Sequence, residues 1–395
     1  MIHKGEKLII ARLIAISGGS SLEKKNVILA VVVVAILVVA GVAAVYLIGG
    51  NDAPDNVVYY TSMSPGLMDS WLAENETSAY IAWEPYASSA VVAGTGRVLM
   101  WTNEIMPHHP CCVVVAWNPF IESDLGGNVT GTNMTLRFMK AHIEATEWII
   151  GALADKDSAE YDQLVDMAEG FTLRSSAVVE EAFNHVKYGY EMNASFQSAL
   201  RQFTEMYVSA GSVTNASLNA LGYDNVTEFV DDYVDESYLA AANSVGPSAA
   251  LLNPDDPIRL GFLTGDLHQM AQVVALNKSS FGGVSMFEKY GLKVTKLDPF
   301  LSGNAEMLAF KAGSVDIGYL GAPPAIQKRV SEQADTRILA QANSEGSALI
   351  VAEGSEVHEL KDLVGKTVAT PGEVSIQHLL LKIALSREGI AFIKG

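Results

Sequence analysis

Lys366-Thr-Val-Ala-Thr370, followed by Pro371-Gly-Glu-Val-Ser375-Ile-Gln-His378, is the stretch that decides how this chain folds. The first five residues read as a short strand. Pro-Gly and then Ser375, set before an apolar-periodic run to Gly389, read as the start of an amphipathic helix. A strand followed by a helix in an α/β unit expects another strand. Only six residues follow Gly389, and the expected strand, Val57–Thr61, stands at the opposite end of the chain. Read as a circle, the two ends form one α/β lobe, so the order of elements is rotated.

The 395 residues suffice for two globular units with extensions, and 49% are hydrophobic. Part of that excess is Val27–Ile48, a run without a charged residue. As a helix rising about 1.5 Å per residue, it spans a bilayer core of about 30 Å. Lys4, Lys7, Arg12, Lys24 and Lys25 precede it against Glu6 and Glu23, which places residues 1–26 in the cytoplasm and the remainder outside. The run exceeds the apolar region of a cleaved signal peptide, the other reading of such a segment. Asn-X-Ser/Thr sequons at Asn75, Asn128, Asn133, Asn193, Asn215, Asn225 and Asn277 all lie beyond it. The net charge of −19 argues against nucleic acid as a partner. The only cysteines, Cys111 and Cys112, are adjacent and cannot staple distant segments, so core burial must hold the fold.

Residues 57–113 alternate short β runs with turns: Val57–Thr61, Tyr80–Trp83, Arg97–Trp101 and the start of Cys111–Trp117. Residues 133–239 have a helical pattern, and the helix Leu136–Ile150 places Met139, Ile143 and Ile150 on one face. Ala240–Pro257 reads as a linker. Strands Ile258–Leu263, Leu292–Leu297, Val315–Leu320, Ile338–Gln341 and Ala348–Val351 then alternate with helices, which means a mostly parallel sheet covered on both faces. Ligands of such sheets sit beyond the carboxyl ends of the strands, where helix N-termini point. The loops there are rich in small residues: Thr264–Gln269, Gly321–Pro324, Asn343–Ser347 and Pro371–Ser375.

Val315–Ile326 (VDIGYLGAPPAI), Ala342–Ile350 (ANSEGSALI), Gly365–His378 (GKTVATPGEVSIQH), Ala79–Ala87 (AYIAWEPYA) and His109–Val115 (HPCCVVV) carry a resemblance. They resemble the nitrate/sulfonate/taurine group of ABC-importer substrate-binding proteins, over about residues 56–395. In that family the block 257–395 precedes the block 56–239. The resemblance therefore implies an α/β, two-lobed periplasmic-binding-protein type 2 fold, circularly permuted, with an N-terminal transmembrane helix. Lobe 1 would be 106–363, with old termini joined through 240–257; lobe 2 would be 57–105 plus 364–395. Strands Ala348–Glu353 and Cys111–Trp117 would be the crossings and the hinge. Two half binding proteins in tandem would be the rival. Permutation is favoured because the two blocks sum to one set of elements with none repeated.

The resemblance and the loops together give the ligand-binding candidates. In lobe 1 they are Asp266, His268, Gly321, Ala322, Pro323, Asn343, Ser344, Glu345 and Gly346, with His109 at the hinge. In lobe 2 they are Pro371, Gly372, Ser375, Gln377, Trp83 and Glu84. Ser375 is either a helix cap or part of an oxyanion site made by N–H groups that lack partners in the helix. Trp83 and Glu84 are either a core aromatic with a surface acid or an aromatic wall with a carboxylate facing the cleft. His108-His109-Pro-Cys111-Cys112 suggests metal ligands, but neighbours on a strand point to opposite faces, so neither metal nor cofactor is expected. With Glu373, Glu84, Glu345 and Asp266 near the rim and no Lys or Arg in the four loops, a zwitterion such as an amino sulfonate, or a nitrogen heterocycle, fits better than nitrate.

The function implied is a membrane-tethered, single-pass binding protein. It would deliver a small polar solute to a permease and its ATPase, without catalysis. An enzyme of the pyrimidine-precursor type on the same fold would be cytosolic and need a cofactor lysine in the cleft. A sensor would carry a C-terminal signalling module.

Overall fold

The computed structural model describes residues 56–126 and 129–395. The segment Val27–Ile48, expected to span a membrane, lies outside the described residues, as does the sequon at Asn128. Among the described residues no helix is long and apolar enough to cross a membrane. Asn56–Gly395 is one unit by itself.

Thirteen strands are described in chain order. They are β1 (Val57–Ser62), β2 (Ala79–Trp83), β3 (Gly96–Trp101), β4 (Cys112–Trp117), β5 (Val186–Tyr188), β6 (Ile258–Gly261) and β7 (Val294–Lys296). Then come β8 (Ile317–Gly321), β9 (Thr336–Gln341), β10 (Asn343–Glu345), β11 (Ser347–Ala352), β12 (Thr367–Thr370) and β13 (Ala391–Lys394). One sheet runs β13-β1-β12-β2-β11-β3 and a second runs β7-β6-β8-β4-β9, while β10 pairs with β5. Each large sheet has one strand antiparallel to both its neighbours, β11 in the first and β4 in the second. These are the two strands expected as crossings. The mixed α/β architecture, with one antiparallel strand in each large sheet, is consistent with a two-lobed binding-protein fold.

The central strands are apolar throughout because helices cover both faces: Val113, Val114 and Val115 are fully buried. The helix Gly131–Ala154 starts where the Thr130 hydroxyl accepts from the Asn133 N–H at 3.1 Å. Its stripe of Met134, Phe138, His142, Ala145 and Ile149 faces the core. Met139 and Ile143 are buried as expected, but Ile150 is 46% exposed. The end of this helix is covered on one side only, through Ile149 and Ala152.

Strand β1 pairs in parallel with β12, Tyr59 opposite Thr367, as the rotated reading requires. The sequence reading missed β13, which pairs in parallel with β1 on its other side. Strands β1 and β13 thus lie side by side beyond β12, one strand more than the sequence reading assigned. Asn56 Nδ2 donates to the Gly389 carbonyl at 2.9 Å, and the Gly395 N–H donates to the Tyr60 carbonyl at 3.0 Å. Residues 240–257 are pinned rather than free. The Asn253 side chain bonds both backbone groups of Lys293, and the Leu252 N–H donates to the Gly291 carbonyl.

Candidate functional site

Three helices start at one cavity of about 50 Å³ between the two large sheets. Helix Ile376–Arg387 brings Ser375, Ile376 and Gln377, helix Gly303–Lys311 brings Ser302, Gly303 and Asn304, and helix Ala322–Ser331 brings Gly321 and Pro324. The first N–H groups of helices Ile376–Arg387 and Gly303–Lys311 lack intrahelical partners and carry each helix's positive end, whereas in helix Ala322–Ser331 the Ala322 N–H donates to the Cys111 carbonyl and Pro323 and Pro324 have no N–H. Trp83, at the end of β2, closes another side of the cavity. Its indole N–H is buried and, among the described residues, has no hydrogen-bond partner; the same holds for Asn304 Oδ1. Buried polar groups are normally paired, so these two residues of the cavity wall each carry an unsatisfied polar atom. Among the described residues no Lys or Arg lines the cavity, and Asp266 is its one carboxylate.

The expected residues divide. Asp266, His268, Gly321, Pro371, Gly372, Ser375, Gln377 and Trp83 line the cavity. Ser375 is also the helix cap, its hydroxyl accepting from the His378 N–H at 3.2 Å, so both readings of it coexist. Pro324 lines the cavity, whereas Ala322 and Pro323 do not.

Glu84 does not face the cavity. Its carboxylate accepts from the Ser88 hydroxyl at 2.8 Å and the Ser88 N–H at 3.0 Å, closing the first turn of helix Tyr86–Ala93. Burial pushes its pKa up to about 7. Glu345 accepts from the His108 N–H at 3.0 Å, and Glu373 bonds Tyr60. The acidic rim therefore reduces to Asp266. His109 is buried behind the site, its Nε2 2.9 Å from the Thr102 hydroxyl, and burial lowers its pKa to about 4.

Asn343, Ser344 and Glu345 form β10 rather than a loop, because β5 pairs with them. They position the site from behind. The Asn343 carbonyl accepts from the Cys111 N–H at 3.1 Å, and Asn343 Oδ1 accepts from the Cys112 N–H at 2.9 Å. The Gly346 carbonyl lies 2.8 Å from His268 Nε2.

Cys111 and Cys112 are the lining residues that sequence reasoning set aside. The strand begins at Cys112, so Cys111 precedes the pleat and strict alternation does not apply to the pair. Cys111 Sγ is 3.2 Å from His268 Nδ1, and Cys112 Sγ is 3.5 Å from Asp266 Oδ2. The two sulfurs and a His268 nitrogen all lie within 4.8 Å of one another, a set that could hold a metal ion. The Cys111 thiol is pulled down, first by its bond with Cys112 and then by His268. Burial pushes Cys112 up. Burial would lower His268, but the charges of Cys111 and Asp266 outweigh it and raise it.

A family-level match covers residues 40–162 and 253–394, more than half of the chain. The chain belongs to the NMT1-like family. This family is part of the nitrate/sulfonate/taurine-binding periplasmic protein group, so NMT1-like membership suggests a substrate-binding protein of an ABC transporter. No curated protein matches the chain. The NMT1-like match leaves out residues 163–252, which contribute β5 and a run of helices.

Proposed function

We propose that this NMT1-like chain is an extracellular solute-binding protein of an ABC importer, tethered by residues 27–48. It would capture a small sulfonate-like anion or zwitterion between lobes 57–105 plus 364–395 and 106–363. The reading includes no catalytic step. The observation that carries it is the unpartnered indole N–H of Trp83, a residue that lines a cavity where helices Gly303–Lys311 and Ile376–Arg387 start without a basic side chain. Helix starts and a neutral donor suit an oxyanion without a counter-cation. For a zwitterion, the amine contact expected of Glu84 passes to Asp266, the carboxylate that lines the cavity. The cavity of about 50 Å³ favours a compact solute. The pairing of β1 with β12 supports a permuted order of the family's elements.

A thermal-shift screen of the full chain against taurine, alkyl sulfonates, nitrate and amino acids tests the reading. A solute at a hundred times its dissociation constant adds about 2.7 kcal/mol of stability. Trp83→Phe removes the donor and keeps an aromatic wall, so it should weaken binding of the best solute by about 1 kcal/mol, roughly fivefold. No stabilising solute, or unchanged affinity in Trp83→Phe, would count against this site.

A further inference from the structure

Cys111, Cys112 and His268 form a set of donors whose geometry is already close to that of a coordination shell. A Zn–S bond of about 2.3 Å and a Zn–N bond of about 2.0 Å at the tetrahedral angle put sulfur and nitrogen about 3.5 Å apart. The Cys111 Sγ to His268 Nδ1 distance is 3.2 Å, and the full set falls within 4.8 Å. Shifts of a few tenths of an ångström to about one ångström complete the shell.

The donors are aimed as well as close. The Gly346 carbonyl accepts from His268 Nε2 at 2.8 Å, which places a proton on Nε2 and leaves Nδ1 facing Cys111 Sγ at 3.2 Å. Metal-ligating histidines characteristically donate their other N–H to a carbonyl or carboxylate in this way. Gly346 itself, at φ +79°, could not carry a side chain: a Cβ there would come within 2.4 Å of His268 Nε2. The cysteines are held by their backbone. The Cys111 carbonyl accepts from the Ala322 N–H and the Cys112 carbonyl from the Ala342 N–H, both at 2.8 Å. Asp266 stands one layer out, fixed by the Gln269 side chain at 3.1 Å and the His268 N–H at 3.0 Å.

We propose that Cys111, Cys112 and His268 bind one Zn²⁺ ion in the cavity wall, with the fourth coordination position open to the solute. Three protein ligands with one open position is the arrangement in which zinc takes an exogenous oxygen donor. Binding releases two protons to solvent, one from Cys112 and one shared by Cys111 and His268, so the local charge is unchanged. The site deepens the solute-binding reading, yet metal binding is read on solute-free protein, so either can fail while the other stands.

The test uses the untagged full chain, reduced and stripped of metal, titrated first with Co²⁺ and then with Zn²⁺. The expected result is a sulfur-to-cobalt charge-transfer band with intense visible bands, saturating at one Co²⁺ per chain and abolished by one equivalent of Zn²⁺. Cys111→Ser and Cys112→Ser should each weaken Zn²⁺ binding at least tenfold. Gly346→Ala, which displaces the second partner of His268, should weaken it about 10–100-fold. His358→Gln, at an exposed histidine away from the cavity, should leave it unchanged. Because a cysteine variant can misfold, the unmodified chain is also alkylated with iodoacetamide, and one equivalent of Zn²⁺ should protect both thiols. A cobalt spectrum without the charge-transfer band, or thiols alkylated equally with and without Zn²⁺, overturns the proposal.

Discussion

Glu84→Gln separates the charge of this buried residue from its shape. Glu84 is fully buried, and burial raises its carboxyl from an ordinary value near 4.5 to about 7. A group whose acid form is favoured by folding binds its proton more tightly in the native state. Wild-type stability therefore falls as pH rises from the unfolded value through the folded one. At 1.36 kcal/mol per unit, the gap of roughly 2.5 units corresponds to about 3 kcal/mol. Glutamine has no such dependence. It does lose an acceptor for Ser88, a roughly constant cost of about 1 kcal/mol at all pH values. Urea unfolding of both proteins at pH 4.5 and pH 8 gives the answer as a difference of differences. The variant should be the less stable at pH 4.5, and should gain about 3 kcal/mol relative to wild type by pH 8. A difference between the two proteins that does not change with pH would refute the reasoning and mean that Glu84 is solvated or charge-paired.

His142 is the opposite case: buried between the Tyr319 hydroxyl and the Gln341 carbonyl, it is pushed down to about 4 by burial. The unfolded chain protonates first, so stability is lost as pH falls from about 6.5 to 4, by about 3 kcal/mol from this residue; His142→Gln should flatten that part of an acid-unfolding profile. Phe138 is fully buried, with ring centroids 4.7 Å from Phe287 and 6.3 Å from Tyr319, so Phe138→Ala should cost about 3–5 kcal/mol in chemical denaturation.

The alternation of strands and helices was legible because period-2 and period-3.6 patterns are local. Val113–Val115 and the helix over Leu136–Ile150 could each be read within a dozen residues, although the face read there (Met139, Ile143, Ile150) is only partly the buried one. The pairing of β1 with β12 was legible because an α/β unit expects a further parallel strand and Val57–Thr61 answered that expectation, although β13, directly after the helix, also joins the sheet. Strand β13 was missed because Ala391–Lys394 is short and only its place beside β1 makes it a strand. Strand β5 was missed for the same reason, and with it the pairing that turns Asn343–Glu345 from a loop into a support for the cysteines. The rim acids failed differently. A carboxylate near a cleft loop in sequence can turn to its own helix, and Ser88, four residues on, supplied Glu84 with two donors. Cys111 and Cys112 were set aside by applying strand alternation one residue before the strand begins.

The meeting of the chain's two ends in one sheet also bears on how the protein is made. Asn56 and Gly389, bonded to one another, are 333 positions apart. Closing a loop of that length costs about 5 kcal/mol in chain entropy, against about 3 for a crossover of some 25 residues such as β12 to β13. Strand β1 (Val57–Ser62) is synthesised some three hundred residues before its neighbours β12 (Thr367–Thr370) and β13 (Ala391–Lys394). At about 5–20 residues per second, that is a wait of roughly 15–60 s with both edges of an apolar strand open. A contiguous arrangement of the same elements would have no such interval. For this chain the sheet around β1 can be completed only after β12 and β13 have been made.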